Sequence, residues 1–378
     1  MIYRNACIFT EEEEFIRGWL QTAGDVISAM GEGEAPCGEP AEDLEGALVI
    51  PGLVDTHIHG LLGADFSDGD PAGLLKMARG LLARGVTSFA PASMTLPYDV
   101  LEKAFRCAAE FAAVPRTDAA RLAGIHMEGP FFFKGKKGAQ NEAYLRLPDF
   151  DAFRRLYDAC GGLIRIVDIA PELPGAAEFA RAAAPLTTVS VAHSNASYEE
   201  AKAVFDAGAV HVSHLYNAMT AFHHQQPGII GAASENENVT AELICDGHHV
   251  QPAAIRMAFK LFPDRIILVT DALRCAGMPD GRYTLGGQPI VLAGGAARLE
   301  NGVLAGAASD LLTDLRNAIR FGIAPEKAVT AATLRPAQAV GAAERIGSLR
   351  PGKLADFLVL DEAWKLRRVY LGGRPAES

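Results

Sequence analysis

The chain has 378 residues, 49% of them hydrophobic and 21% charged, and a formal net charge of −11. That length and composition suit one large globular domain with a smaller companion. The acidic balance argues against nucleic acid or an anionic membrane surface as a partner, because both repel such a chain at long range. No apolar stretch is long enough to span a bilayer, and the start Met1–Asn5 has no apolar signal core, so a cytoplasmic protein is expected. The cysteines (Cys7, Cys37, Cys107, Cys160, Cys245, Cys275) are scattered with no C-x-x-C pair, which reads as reduced thiols.

In chain order, residues 1 to about 48 read as short strands: Tyr3 to Phe9, the Trp19 region and Asp25 to Met30. The Glu11–Glu14 run reads as a solvated hairpin turn. The middle alternates short apolar runs with amphipathic, Ala-rich segments. The runs are Ala47–Val54, Val86–Ala92, Leu122–His126, Ile164–Ile169, Thr188–Ala192, Val210–His214, Thr240–Cys245 and Arg265–Val269. The helical segments between them include Pro71–Arg84, Asp99–Ala113 and Ser197–Ala207. Such alternation predicts parallel strands buried on both faces, in an α/β fold of the (β/α)8 TIM-barrel type. Tyr283–Leu304, with Gly286-Gly287, Gly294-Gly295 and Asn301-Gly302, predicts a hairpin-rich excursion. Pro325–Thr333 then reads as a helix, with a further helical turn at Pro336. The end of the chain returns to short strands, at Ala355–Leu360 and Leu366–Leu371. The expected division is a composite β-sandwich domain from residues 1–50 and 341–378 around a catalytic barrel at 51–340.

Barrel enzymes carry their reacting groups at the C-terminal ends of the strands. Here those ends read Asp55-Thr-His57-Ile-His59, His126-Met-Glu128, His193, His214 and Thr270-Asp271. Each has an ordinary explanation alone. His193 or His214 can be a hydrogen-bonded core histidine, and Glu128 or Asp271 can cap a helix. His57 and His59 share a strand face and can point at one ion. Together they form the neutral-imidazole and carboxylate set that divalent ions prefer, and burying so many ionisable groups without an ion would be costly. One or two divalent cations are expected, Zn²⁺ first and Fe, Mn or Co also suited to these donors.

The same residues resemble the amidohydrolase superfamily: H-x-H on strand one, histidines on strands five and six, an aspartate on strand eight. Longer words are similar to its N-acetylglucosamine-6-phosphate deacetylases: Gly124-Ile-His-Met-Glu-Gly-Pro-Phe131, Lys137-Gly-Ala-Gln-Asn141, Ala192-His-Ser-Asn-Ala196, Ser213-His-Leu-Tyr-Asn-Ala-Met219 and Asp246-Gly-His-His249. The likeness runs over essentially the whole chain, to Gly347–Asp356. Strand four, Ile164–Glu172, contains no lysine, so a carbamylated-lysine bridge is excluded and Glu128 is its natural substitute. The resemblance implies that Glu128, His193 and His214 hold the principal ion, with His57 and His59 offering a second position that shares Glu128 near Asp271. It implies Asp271 as general base. It also implies a small amino-sugar substrate touched by Ala139, Gln140, Asn217, Ala218, His249, Leu304, Ala305 and Gly306, and a homodimer.

One position departs from the pattern. After strand six the family carries an arginine just before x-Pro-Gly that reaches the sugar phosphate of the neighbouring subunit; here the stretch is Phe222-His-His-Gln225-Gln226-Pro227-Gly228. Gln225 cannot supply a bidentate cationic grip on phosphate. The sequence therefore leaves two hydrolase readings, a phosphorylated or an unphosphorylated N-acetylhexosamine, beside a remote non-catalytic sugar-binding barrel. His223, His224, Lys134, Lys136, Lys137 and Arg274 are the cationic or titratable candidates to replace the arginine. Where some relatives have a histidine, Gln140 can donate a hydrogen bond to a developing oxyanion but cannot carry positive charge.

Overall fold

The computed structural model describes residues 1–376. Strands from both chain ends join in one sheet of eight: Ile2–Phe9, Phe15–Ala23, Val26–Glu32, Ala41–Asp43 and Leu48–Pro51, with Phe357–Leu360, Leu366–Leu371 and Arg374–Pro375. The seam between the ends is antiparallel, with Val49 opposite Val359. Tyr3, Phe357 and Tyr370 fill its core, Phe357 stacking on Tyr370 at 4.3 Å. The expected two-sheet sandwich is thus hydrogen-bonded as a single sheet. The reason is that Ile2–Phe9 pairs on both edges, antiparallel to Phe15–Ala23 and parallel to Ala41–Asp43 and Leu48–Pro51. The Glu11–Glu14 turn is not simply solvated: Glu11 lies 3.2 Å from buried Lys353, and Glu13 lies 2.6 Å from Lys327.

Eight parallel strands follow: β1 (Leu53–Ile58), β2 (Val86–Pro91), β3 (Ile125–Phe131), β4 (Ile164–Ile169), β5 (Thr188–Val191), β6 (His211–Val212), β7 (Thr240–Ile244) and β8 (Ile266–Val269). Their buried, near-continuous apolar faces are what helices on the outside require. Helices Pro71–Leu82, Tyr98–Ala112, Phe150–Ala159, Ala176–Ala183, Tyr198–Asp206, Gly228–Glu235 and Pro252–Leu261 follow the first seven strands in turn. Local signals start them: Asp70 caps Pro71–Leu82 through Ala72 and Gly73, and Ser197 forms a capping box with Glu200. After β8 comes an antiparallel meander, Gly281–Leu285, Gln288–Ala293, Ala296–Leu299 and Leu304–Ala307, and then helix Leu311–Arg320.

β1 pairs with β2, and β3 to β8 pair in sequence order. Single parallel bridges link the two groups, Ala92 to His126 and Ile58 to Ala272. The apolar run at 47–54 proves to be two strands broken at Gly52. Gly52 still donates to Asp356 O of the terminal sheet, whereas Leu53 already donates to Gly85 O. A Cβ on Gly52 would sit 2.1 Å from Thr87 Oγ1, so only glycine allows this close crossing. The third run also shifts. Arg121–Leu122 pairs separately with β2, and β3 proper starts at Ile125 and carries Glu128 within it. Among the described residues no helix is long and apolar enough to cross a membrane.

Candidate active site

At the C-terminal ends of the strands a cavity of about 230 Å³ opens. β1 brings His57 and, one residue past its end, His59; their shared strand face turns both rings inward. β3 supplies Glu128. His193, His214 and Asp271 lie just beyond β5, β6 and β8, each in the left-handed region with φ of 46°, 31° and 52°. Non-glycine residues reach that region at a cost of order 1–3 kcal/mol, and such strain gathers at functional sites. Here all three residues with that backbone line the cavity.

Glu128 is the hub. Its Oε1 lies 3.0 Å from His193 Nε2 and 3.2 Å from His214 Nε2, and those two nitrogens are 3.2 Å apart. Donors about 2.0–2.1 Å from a tetrahedral ion stand about 3.3 Å from one another, so these three edges have the size of one face of such a shell. On the other side, His59 Nε2 is 3.4 Å from Glu128 Oε2 and 3.3 Å from Asp271 Oδ1, and His57 Nε2 is 3.6 Å from Glu128 Oε1. His57 Nε2 is buried with no hydrogen-bond partner. A converging donor set with an orphaned buried nitrogen fits a divalent cation. Two overlapping groups, His57/His59/Glu128 and Glu128/His193/His214, satisfy that geometry.

The electrostatics agree. Burial pushes the Glu128 carboxyl up, but hydrogen bonds from His193 and His214, with the His57 and His59 rings close by, outweigh it and hold it well below the usual range. Burial opposes charge on His57 as well, yet Glu242 and Glu128 raise its imidazole well above its ordinary value. His59 is raised too, burial being outweighed by Asp271 and Glu128. A cation entering such a cluster displaces protons and takes over the pairing.

Of the residues singled out in the sequence, Ala139, Gln140, Asn217, Ala218, His249, Leu304, Ala305 and Gly306 line the cavity with His59, Glu128, His193, His214 and Asp271. His57 sits beneath its floor. Gln140 is pinned: its Oε1 accepts Thr95 N–H at 2.7 Å, which turns its amide nitrogen to donate to Glu128 Oε2. His249 Nδ1 is held by Asp246 at 2.7 Å. Gln225 is not brought in; it is exposed on the loop after β6, its backbone N–H donating to His223 Nδ1. The other candidate cations are spent elsewhere, Lys136 on Met219 O, Lys137 on Gln140 O, Lys134 on Glu142 and Arg274 on Asp65 and Asp68. Sequence reasoning passed over a buried layer below the donors: Glu242 on β7 and the pair His126–Asp168, 3.0 Å apart. Its signal was present, since Glu242 and Asp168 are the acidic residues of short, largely buried strands.

The chain matches the model of the Amidohydrolase family over residues 48–375. It is 34% identical over 377 residues to an N-acetylgalactosamine-6-phosphate deacetylase of Escherichia coli O157:H7, covering 99% of each chain. It is 37% identical over 344 residues to an N-acetylglucosamine-6-phosphate deacetylase of Bos taurus, covering 88% of this chain and 84% of that one. The solved structure of a Mycobacterium smegmatis N-acetyl-D-glucosamine-6-phosphate deacetylase variant, in complex with N-acetyl-D-glucosamine-6-phosphate, superposes with a TM-score of 0.94 at 32% identity, covering 100% of this chain and 99% of that one.

Proposed function

The chain belongs to the amidohydrolase family, and from that premise we propose that it hydrolyses the acetamido bond of N-acetylglucosamine-6-phosphate to glucosamine-6-phosphate and acetate. One observation carries the reading: Glu128, His193, His214, His59 and Asp271 converge on the floor of a cavity walled by Ala139, Gln140, Asn217, Ala218, His249 and Leu304–Gly306. We assign the ion as Zn²⁺, held by Glu128, His193 and His214, with a second position toward His57, His59 and Asp271. When bound, such an ion supplies Lewis acidity and a water made acidic enough to attack at neutral pH.

The chain's own groups do the rest. Asp271 is the base: its carboxylate, 3.3 Å from His59 Nε2, takes the proton of the attacking water and returns it to the departing amine. Gln140 has its carbonyl spent on Thr95, so its remaining N–H is free to meet the acetyl oxygen as charge develops there. Being neutral, it would leave most of that charge to a bound cation. His249, with Nδ1 fixed on Asp246, offers Nε2 to the sugar. The Asn217 amide nitrogen is committed to His214 O and Leu215 O, which frees its oxygen as an acceptor.

Barrel closure and domain division belong to the same reading. Eight β/α units with bridges at Ala92–His126 and Ile58–Ala272 support a closed (β/α)8 barrel over about 51–340, beside a domain from 1–50 and 341–378.

A second reading has its own observation. Among the described residues lining the cavity none is lysine or arginine, and Gln225 is a neutral amide where the family's arginine reaches the neighbouring subunit's phosphate. This favours an unphosphorylated N-acetylhexosamine. Acetate release from metal-loaded protein decides, with N-acetylglucosamine-6-phosphate, its galacto epimer and both plain sugars as substrates. Release from neither phosphate sinks the primary reading. A kcat/KM preference for phosphate below about tenfold, or about 1.4 kcal/mol, favours the second.

A further inference from the structure

β7 carries a carboxylate that the chemistry above does not use. Glu242 lies mid-strand at 0% exposure. An uncompensated charge there would be costly, so its partners matter. Its Oε2 accepts from His57 Nδ1 at 2.8 Å and from the backbone N–H of His214 at 3.2 Å. Its Oε1 faces His211 Nε2 at 3.2 Å. One carboxylate thus grips a ring on β1 and the peptide that begins the turn after β6.

A neutral imidazole has one N–H and one lone pair. With the His57 proton on Nδ1 and held by Glu242, the Nε2 lone pair faces the cavity. There it lies 3.6 Å from Glu128 Oε1 and 3.8 Å from Asp271 Oδ1. The opposite tautomer would set a lone pair against the carboxylate of Glu242. His59 has only a neutral counterpart to this grip, Nδ1 donating to Ala92 O at 3.1 Å. Glu242, His57 and His126 also lie close enough to suggest a cation site of their own. That is excluded because His126 Nδ1 donates to Thr56 O at 3.0 Å and so has no lone pair to give.

We propose that Glu242 is a positioning residue that commits His57 to the tautomer with Nε2 open to the cavity and so creates the second cation position, while its bond to the His214 peptide ties that position to the first. The inference rests on the two-position reading of the metal centre. Outer partners of this kind change metal affinity by about 10–100-fold when lost.

The test measures ion content, and second-ion affinity by chelator competition, on the holoenzyme, Glu242→Gln, His57→Asn and the double variant. Expected are two ions in the wild type, a second ion bound about 10–100-fold more weakly in Glu242→Gln, and no further loss when Glu242→Gln is added to His57→Asn. Unchanged second-ion affinity in Glu242→Gln overturns the role, as does an undiminished loss in the His57→Asn background. A single ion in the wild type overturns the two-position reading beneath it, and the wild-type count alone reveals this. A second measurement needs no variant: histidine ¹⁵N spectra of the loaded wild type should show His57 protonated at Nδ1 and ligated at Nε2. The reverse assignment overturns the proposal.

Discussion

The terminal sheet and the strand-end cavity both bury ionisable groups, and they treat them in opposite ways. In the terminal sheet every such group is closed off by a neighbour. Lys353 donates to Ser348 Oγ and Glu11, Tyr370 OH donates to Glu42, and Tyr3 OH donates to Gly373 O. In the cavity the donors crowd together, and His57 Nε2 and His214 Nδ1 have no hydrogen-bond partner. Native proteins satisfy nearly all buried polar atoms, so unsatisfied ones near strained backbone mark a place held ready for something else. One region spends its polar groups on stability, the other keeps them available.

That contrast can be broken from either side. The largest effect is expected at Asp271. Asp271→Asn should lower kcat by about 10²–10⁴-fold, the usual worth of a general base, while the ion held by Glu128, His193 and His214 and the melting temperature stay near wild type. Unchanged turnover would move the base elsewhere. Next comes removal of the ion. At free ion one hundred times its dissociation constant, the loaded protein should be more stable than the chelated one by about 2.7 kcal/mol. Coincident calorimetric transitions would mean that the converging donors hold nothing. The smallest effect belongs to the terminal sheet. Lys353→Met strips Ser348 and Glu11 of a donor and should cost about 1–3 kcal/mol in urea unfolding, with kcat unmoved. A drop in kcat would show that the two regions are coupled.

Much of this arrangement was legible in the residues. Strand-end histidines, Glu128 and Asp271 stand out as a set, because burying so many ionisable groups together without an ion would be costly. Helix boundaries followed Asp70-Pro71 and Ser197 with Glu200, where capping chemistry is local. What escaped was non-local. Gly52 divides the run at 47–54 where it passes Thr87, a residue on another strand. Arg121–Leu122 belongs to β2 through pairing that no periodicity announces. Gln225, read as a position that reaches the neighbouring subunit's sugar, lies on the exposed loop after β6, outside this chain's own cavity. Glu242 was hidden because its partners, His57 and His214, are 185 and 28 residues distant.

The meander after β8 separates two kinds of change. Its last strand supplies Leu304, Ala305 and Gly306 to the cavity wall, and Ala307 N donates to Asp271 O, so wall and proposed base share one hydrogen-bonded frame. Gly306 seals the junction: a Cβ there would come within 2.9 Å of Asp271 O. The hairpins before it, from Gly281 to Leu299, carry none of the converging donors. A lineage can therefore vary this insert and reshape the sugar side of the cavity while the ion-binding side keeps its register. Where such variation has occurred, glycine at 306 is the residue it has to spare.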